Sequence, residues 1–285
     1  MPILTMKNSF LTVEITTQGA QIKSVKDNNG TEYIWNADPK YWGKSAPVLF
    51  PVCGTLKDDK YIYEGREYTM PAHGFAQKMD YSVREATDTK VRIYITDTDK
   101  TREMYPFCFD FEVAFTLDKN SVKAEYIVTN KGTGDMYYSV GCHEAYACPE
   151  GVEEYAVEFA DEIEPDTYLL DGRIFSGETL HVADRCKVLD IKEEFFDLDS
   201  LAFKNMGVYS ASLVNKKSGC KVRVDFPGFD YFLIWHEPGS GFLCLEPWKG
   251  FPDYTSHDYD FTKKDGIIRV EQGQKSISEH TMYFG

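Results

Sequence analysis

The chain has 285 residues, enough to bury a large core, and 15% of them are aromatic. It carries 46 acidic against 31 basic side chains, a formal net charge of −15, which disfavours binding to the phosphate backbone of nucleic acids. No apolar run is long enough to span a bilayer, and no signal peptide precedes the first strand-like segment. These features predict a cytoplasmic protein that binds neither nucleic acid nor membrane.

Taken in chain order, nearly every segment predicts a strand followed by a tight turn. FLTVEIT and AQIKSVKD alternate with period two, and a turn at 28–30 leads into EYIWN. YIYEGREYTM predicts a hairpin with Glu64 and Gly65 at its tip, and a second turn at 119–120 joins FDFEVAFTLD to SVKAEYIVTN. Only one or two helical turns are expected, near 101–105 and 198–203. The strands that follow at similar spacing are YAVEF, GVYSASLVN, CKVRVDF, YFLIWHE, GFLCLEPW and IIRVEQ.

This succession of strands predicts an all-β fold of large antiparallel sheets that cover each other. No linker or change of composition divides the chain, so residues 1–285 are expected to form a single domain.

The seven cysteines are an odd number without paired spacing, which favours reduced thiols, with Cys108 and Cys244 expected to fill the core. The closest group of possible metal ligands is GCHEAYACP. On a strand, however, Cys142 and His143 point to opposite faces, so no metal site is expected there.

The six histidines differ in their surroundings. His181, His257 and His280 lie in polar segments and are expected at the surface, and His236 ends an apolar strand and is intermediate. The segments PAHGFA and GCHEAYA instead set two imidazoles, those of His73 and His143, among small and aromatic residues.

Glu246 stands out in the same way, because it directly follows the buried run FLCL, where a carboxylate is uncommon. Each of these three residues also has a structural interpretation, as a hydrogen-bonded histidine or the acidic end of a strand. The chain contains no G-x-S-x-G, Walker, G-x-G-x-x-G or H-E-x-x-H motif. The remaining chemistry is proton transfer by imidazole and carboxylate, without metal or nucleotide.

With His73, His143 and a late Glu246 in this order on an all-β background, the chain resembles the aldose 1-epimerase, or galactose mutarotase-like, family, and most closely its LacX-like branch. The resemblance spans residues 45–253 and implies a β-supersandwich that binds a hexose in a shallow groove without a cofactor. The segments that carry it are APVLFPVCGTLKDDKY, MPAHGFAQ, GCHEAYACP, LDSLAFKNM, VDFPGFDYFLIW and FLCLEPWKGFPD.

The resemblance also implies roles for individual residues. Glu246 corresponds to the general base, His143 to the general acid, and His73 to the histidine that positions the sugar. Asp199 matches the substrate-binding aspartate, and Trp248 is the expected stacking neighbour.

The chain departs from the LacX-like branch where arginines are expected, because it carries Thr55 and Gln77 at those two positions. Lys57 is close enough in sequence to substitute partly as a donor, but it lacks the bidentate fork of arginine. Glu144 stands where a proline is expected.

The missing arginines favour an unphosphorylated hexose over its 6-phosphate. The leading hypothesis is an epimerase that interconverts the α and β anomers of a free aldose. A non-catalytic sugar-binding or regulatory domain and a hexose-6-phosphate 1-epimerase remain as alternatives.

Overall fold

The computed structural model describes residues 2–285, apart from the side chains of Leu198 and Lys221. Antiparallel strands dominate it, which confirms the predicted all-β class. One short α-helix, α1 (Asp99–Met104), is joined by five 3₁₀ segments at Lys57–Asp59, Ala76–Lys78, Val152–Glu154, Glu193–Leu198 and Phe261–Lys263. The strands are β1 (Ile3–Lys7), β2 (Leu11–Thr16), β3 (Gln21–Asp27), β4 (Val48–Leu49), β5 (Lys60–Tyr63), β6 (Arg66–Thr69), β7 (Ser82–Ala86), β8 (Lys90–Thr96), β9 (Phe109–Asp118), β10 (Ser121–Asn130), β11 (Met136–Tyr138), β12 (Val140–Cys142), β13 (Glu144–Ala147), β14 (Tyr155–Ile163), β15 (Asp166–Asp171), β16 (Ile174–His181), β17 (Cys186–Asp190), β18 (Ser200–Lys204), β19 (Ser210–Asn215), β20 (Lys221–Asp225), β21 (Tyr231–Trp235), β22 (Phe242–Lys249), β23 (Ile268–Val270) and β24 (Lys275–Phe284).

Two large sheets form the body of the fold. The first has nine strands in the order β17-β14-β19-β20-β24-β10-β9-β8-β7. The second has six strands, in the order β18-β21-β22-β12-β4 with β13 also paired to β22. The strands β1-β2-β3 form a separate sheet, and the pairs β5-β6, β11-β23 and β15-β16 form short ribbons.

The two large sheets pack face to face through aromatic and aliphatic side chains. Phe50, just after β4 in the second sheet, stacks on Phe111 of β9 in the first, with ring centroids 4.3 Å apart. Phe159 of β14 meets Phe232 of β21 edge-on, with ring centroids 6.2 Å apart. Because side chains alternate along a strand, each inner face buries every second residue, as β10 shows along its whole length.

Several local predictions from the sequence are confirmed. Strands β5 and β6 form the predicted hairpin, with Glu64 and Gly65 in its turn at positive φ. Lys119 has a positive φ in the turn that joins β9 to β10. Helix α1 lies where a helical turn was expected, and its capping box is formed by Thr98 and Thr101.

The second predicted helical turn, at 198–203, is wrong. The helical residues come earlier, at Glu193–Leu198, and the chain enters β18 at Ser200. The apolar run that follows pairs with β21, so tertiary pairing decides the conformation of this segment.

The expectation that His280 lies at the surface is also wrong, because its side chain is fully buried. On β24, Ser278, His280, Met282 and Phe284 share the inward face. The imidazole of His280 stacks on Tyr126. His257 is mostly buried as well, with 12% of its side chain exposed, whereas His181 is exposed as predicted.

Within residues 2–285, no helix is both long and apolar enough to cross a membrane.

Candidate active site

A cleft of about 400 Å³ opens on the outer face of the second sheet. Strands β18, β21 and β22 supply its floor, because Ser200, Leu233, Trp235, Glu246 and Trp248 follow the alternation that points outward. Loops and the β15-β16 ribbon supply the walls. The wall residues are Trp42, Lys44, Pro47, Gly54, Thr55, Ala72, His73, Gln77, His143, Leu170, Gly172, Arg173, Phe175, Asp199, Glu237 and Pro252.

His73 is held in the cleft wall by two hydrogen bonds with one residue. Its backbone N–H donates to the carbonyl of Gly54 at 2.8 Å, and the N–H of Gly54 donates to the Nδ1 of His73 at 3.2 Å. His73 has a φ of 61°, and the next residue, Gly74, has a φ of 70°. A Cβ on Gly74 would lie 2.1 Å from the carbonyl oxygen of Phe50, so the turn that presents His73 requires glycine there.

Burial lowers the pKa of His73 to about 4, with smaller contributions from the positive charges of Lys44 and Arg173. The imidazole is therefore neutral near pH 7. Because its Nδ1 accepts a hydrogen bond from Gly54, its proton lies on Nε2, which becomes the donor that His73 offers.

His143 lies between β12 and β13, in a setting of aromatic rings. Its imidazole stacks on the indole of Trp42, with centroids 4.8 Å apart and planes 28° apart, and meets Trp235 edge-on. The ring of His73 is 5.9 Å away. Burial lowers the pKa of His143 well below the ordinary value of 6.5, and the neighbouring His73 and Lys44 lower it further.

Glu246 is the carboxylate that this floor holds next to His143. One carboxylate oxygen, Oε1, lies 3.2 Å from the Nδ1 of His143, and only 1% of the side chain is exposed. Burial raises the pKa of Glu246 well above its ordinary value, and the negative charges of Glu144 and Asp199 add to this. The environment therefore pushes the two pKa values in opposite directions and favours a neutral pair in the free cleft.

Asp199 also lines the cleft, immediately before β18. Its backbone has a φ of 78°, a conformation that a non-glycine residue adopts only where the surrounding fold imposes it. Burial raises the pKa of its carboxyl group, while a hydrogen bond with Ser200 acts in the opposite direction. The structure thus brings Asp199 to the same cleft as His73, His143 and Glu246.

Trp248 reaches the cleft through a gap left by a glycine. Its indole N–H donates to the carbonyl of Cys142 at 3.0 Å, and a Cβ on Gly141 would lie 2.5 Å from the indole ring. The ring packs edge-on against His73. The indole is nearly buried, so it supports His73 as well as lining the cleft.

Lys57, in contrast, does not line the cleft. Its ammonium group donates to the backbone carbonyls of Thr255 and His257, at 2.7 Å and 3.1 Å. These contacts tie Lys57 to the loop after β22, and the structure corrects its sequence-based placement as a sugar-binding donor.

Several other residues line the cleft although no sequence motif singles them out, among them Trp42, Trp235, Lys44 and Arg173. Trp235 ends an apolar strand and Trp42 lies in a loop, so each resembles an ordinary core aromatic in sequence. Lys44 and Arg173 lie in loops with no local pattern. Only the three-dimensional fold shows that these residues face His73 and His143.

The comparisons with known proteins agree with this geometry. The family model for aldose 1-epimerase matches residues 2–267. Two forms of protein LacX from Lactococcus lactis subsp. lactis, one from a plasmid and one chromosomal, are each 35% identical over 264 residues. That stretch is 86% of this chain and 87% of each relative. The chain belongs to the aldose 1-epimerase family.

Solved structures show the galactose mutarotase-like fold that the resemblance implies. The X-ray structure of a galactose mutarotase related enzyme from Lactobacillus acidophilus is 28% identical, with a TM-score of 0.91 over 100% of this chain and 97% of that one. A galactose mutarotase-like protein from Lactobacillus casei ATCC 334 has a TM-score of 0.93 at 23% identity and full coverage of both chains. The second match supports the fold alone.

Two groups of side chains in this family member bring possible metal ligands within 4.8 Å of one another. One is His143, Cys244 and Glu246 in the cleft floor, and the other is Cys142, Glu144 and His280 between the sheets. Burial raises the pKa of both thiols well above the ordinary value. Both thiols are therefore protonated near pH 7.

Proposed function

We propose that this protein interconverts the α and β anomers of a free aldose by acid–base ring opening. The observation that carries the proposal is the buried contact between His143 and Glu246 in the cleft, with Nδ1 and Oε1 3.2 Å apart. Ring opening needs a base at the C1 hydroxyl and an acid at the ring oxygen, and ring closure needs the reverse. A carboxylate and an imidazole that together hold one proton perform both steps.

The proton balance follows from that single proton. When His143 carries it, Glu246 is ionised and takes the proton of the C1 hydroxyl, while His143 protonates the ring oxygen. The C1–ring-oxygen bond breaks, and the open-chain aldehyde forms beside a protonated Glu246 and a neutral His143. After rotation about the C1–C2 bond, the hydroxyl formed from the ring oxygen attacks C1 and returns its proton to His143. Glu246 at the same time gives its proton to the carbonyl oxygen.

Sugar binding prepares the starting state for this cycle. In the free cleft, burial favours the proton on Glu246. A sugar hydroxyl that donates to Glu246 stabilises the ionised carboxylate, because hydrogen bonds to the charged form lower a carboxyl pKa. The proton then moves to His143 over the short contact between the two groups.

The remaining predicted residues hold the ring in place. His73 offers its Nε2–H as a fixed donor, since Gly54 occupies Nδ1. Asp199 provides a carboxylate for sugar hydroxyls from the wall of the cleft. Trp42, Trp235 and Trp248 also line the cleft, and sugar rings pack well on aromatic surfaces.

The proposed substrate is an aldose without a phosphate group. A phosphate dianion is normally bound by arginines, each of which donates two N–H groups to its oxygens. Among the described residues that line the cleft, Arg173 is the single arginine, and Thr55 and Gln77 stand at the two positions where the resemblance implies arginine.

Anomer-exchange NMR on the purified protein tests the proposal. Catalysed exchange above the uncatalysed background is expected with at least one of glucose, galactose and other free aldoses, and faster exchange with a hexose than with its 6-phosphate. Sugar binding without any catalysed exchange would instead support a non-catalytic sugar-binding domain. A clear preference for the 6-phosphate would support the phosphosugar epimerase.

A further inference from the structure

Two positive side chains reach the cleft beside His73, although the protein as a whole carries a formal charge of −15. They are Lys44, in the loop before β4, and Arg173, in the turn between β15 and β16. Lys44 contacts Gln77, whose amide donates to the carbonyl of Ala72, the residue before His73. Arg173 contacts Thr55, which follows the glycine that hydrogen-bonds to the His73 ring.

Lys44 is held in the cleft by a buried neutral side chain. Its Nζ donates to the Oε1 of Gln77 at 2.5 Å, and the amide nitrogen of Gln77 donates to the carbonyl of Ala72 at 3.3 Å. Both ends of the Gln77 amide are therefore occupied, which fixes its orientation. An ammonium group has three N–H donors, so two remain on Lys44 after Gln77 takes one.

Lys44 also has no carboxylate partner among the residues whose side chains are described. Burial lowers its pKa, and the nearby charge of Lys78 lowers it further. A half-buried ammonium group without a counter-ion strongly favours hydrogen-bond acceptors, because it has lost much of its water.

Arg173 reaches the cleft from a segment 118 residues away from Thr55, the side chain that it contacts there. Its Nη2 lies 3.4 Å from the hydroxyl oxygen of Thr55 and 3.5 Å from a carboxylate oxygen of Asp59. The side chain is 62% exposed, so it stands at the rim of the cleft. Guanidinium has five N–H donors, and these two contacts leave several for a ligand.

We propose that Lys44 and Arg173 are substrate-positioning residues whose N–H groups bind hydroxyls of the sugar beside His73. This inference rests on the proposed function and adds its specificity determinants. Each cation contacts one of the two neutral side chains, Gln77 and Thr55, that occupy the positions where the resemblance to the LacX-like branch implies arginine. Positive donors thus reach the same part of the cleft from other segments of the chain.

Steady-state anomer exchange and equilibrium binding of a neutral hexose test this inference with Lys44→Met and Arg173→Gln. Three of the four tryptophans, Trp42, Trp235 and Trp248, line the cleft, so indole fluorescence reports sugar binding without catalysis. We expect KM and the dissociation constant to rise by about tenfold for Lys44→Met and less for the exposed Arg173→Gln, with kcat nearly unchanged. Lys44→Arg should recover most of the loss. Lys78→Met, which removes a nearby exposed charge outside the cleft, is the matched control and should bind as the wild type does.

Charge relocation separates a binding role from a structural one. Lys44→Met is combined with Gln77→Arg, and Arg173→Gln is combined with Thr55→Arg. Each double variant returns a cation to the position that the removed cation contacts. We expect each double variant to bind the hexose more tightly than its single Lys44 or Arg173 variant. Unchanged hexose binding in both single variants, with correct folding by thermal unfolding, would overturn the inference. A loss confined to hexose 6-phosphate would overturn it as well, since the two cations would then form a phosphate site.

The two proposals fail in different ways. If the wild type binds sugar but does not catalyse exchange, the epimerase proposal fails, and the fluorescence titrations still test Lys44 and Arg173. If exchange is catalysed but does not depend on these cations, only the positioning inference fails.

Discussion

The second sheet carries two carboxylate–imidazole pairs on its opposite faces. On the outer face, Glu246 lies 3.2 Å from His143. On the inner face, Glu144 of β13 lies 3.3 Å from His280 of β24, between the two large sheets. The chemical groups are the same and the distances nearly equal, and the two pairs are adjacent in sequence at 143 and 144.

The two pairs differ in how accessible they are to a ligand. Glu246 and His143 line an open cleft with a second histidine and aspartate. Glu144 and His280 are packed beneath Tyr126, with side chains 4% and 0% exposed. A carboxylate next to an imidazole is therefore no evidence of catalysis by itself, and the open volume beside it decides what it can do. The outer pair is proposed to move protons on a sugar, whereas the inner pair lies in the packed contact between the two sheets.

The largest expected effect is on turnover when the outer imidazole is removed. His143→Asn should lower the catalysed exchange rate by about 100-fold to 10,000-fold, because proton transfer is lost while the shape is nearly kept. His280→Asn, the matched change on the inner face, should lower the unfolding temperature and leave exchange by the folded protein close to that of the wild type. Anomer-exchange NMR and thermal unfolding measure the two effects. Equal loss of exchange in both variants would contradict the division of roles.

The inner pair is expected to matter most for stability. Glu144→Ala removes one member of this buried pair and leaves the His280 imidazole without its carboxylate neighbour, which should lower the free energy of unfolding by about 1–3 kcal/mol. Urea unfolding at neutral pH measures this. A loss below about 1 kcal/mol, the range typical of exposed ion pairs, would show that the pair does not hold the sheets together.

A smaller effect is expected at the positioning histidine. His73→Asn removes the Nε2–H donor but keeps a side chain that tolerates the positive φ of this position. We expect KM to rise about tenfold, with a smaller change in kcat. A variant that lost kcat with KM unchanged would place His73 in the chemical step.

The pH dependence of kcat/KM should show the opposite pKa shifts of the outer pair. The pair works with one proton, so activity falls when it gains a second or loses the first. The second proton goes to His143, whose pKa is lowered, and the acid limb should therefore lie below pH 6.5. The first proton leaves from Glu246, whose pKa is raised by burial and, in addition, by the negative charge of Glu144. Glu144→Gln removes that charge and should therefore move the alkaline limb to lower pH. An acid limb at or above pH 6.5 would contradict the assignment.

The comparison of the two faces also shows what the sequence could predict. His73 and His143 stand out in the sequence because glycine and small residues flank them, and Glu246 stands out because it directly follows a buried run. The resemblance to the family grouped the three residues into one site. His280 was predicted at the surface from its polar neighbours, yet counting back in steps of two from Phe284 and Met282 places it on the inward face. Periodicity carried more information there than local polarity.

The hydrogen-bond donors that distant segments bring to the cleft could not be predicted from the sequence. Lys57 is close in sequence to the expected arginine position, but its ammonium group donates to backbone carbonyls of the loop after β22. Lys44 and Arg173 reach Gln77 and Thr55 only because the loops fold over the second sheet. Such contacts depend on loop paths, which residue spacing does not specify.

The most direct measurement compares Glu246→Gln with Glu144→Gln in the same anomer-exchange assay, at a pH on the wild-type plateau and at a temperature where both variants are folded. Each change replaces one carboxylate of the second sheet by its neutral isostere. We expect Glu246→Gln to lose catalysed exchange while sugar binding still changes its indole fluorescence. Glu144→Gln should exchange at a rate close to that of the wild type. Wild-type exchange by Glu246→Gln would show that the carboxylate in the cleft is not the base.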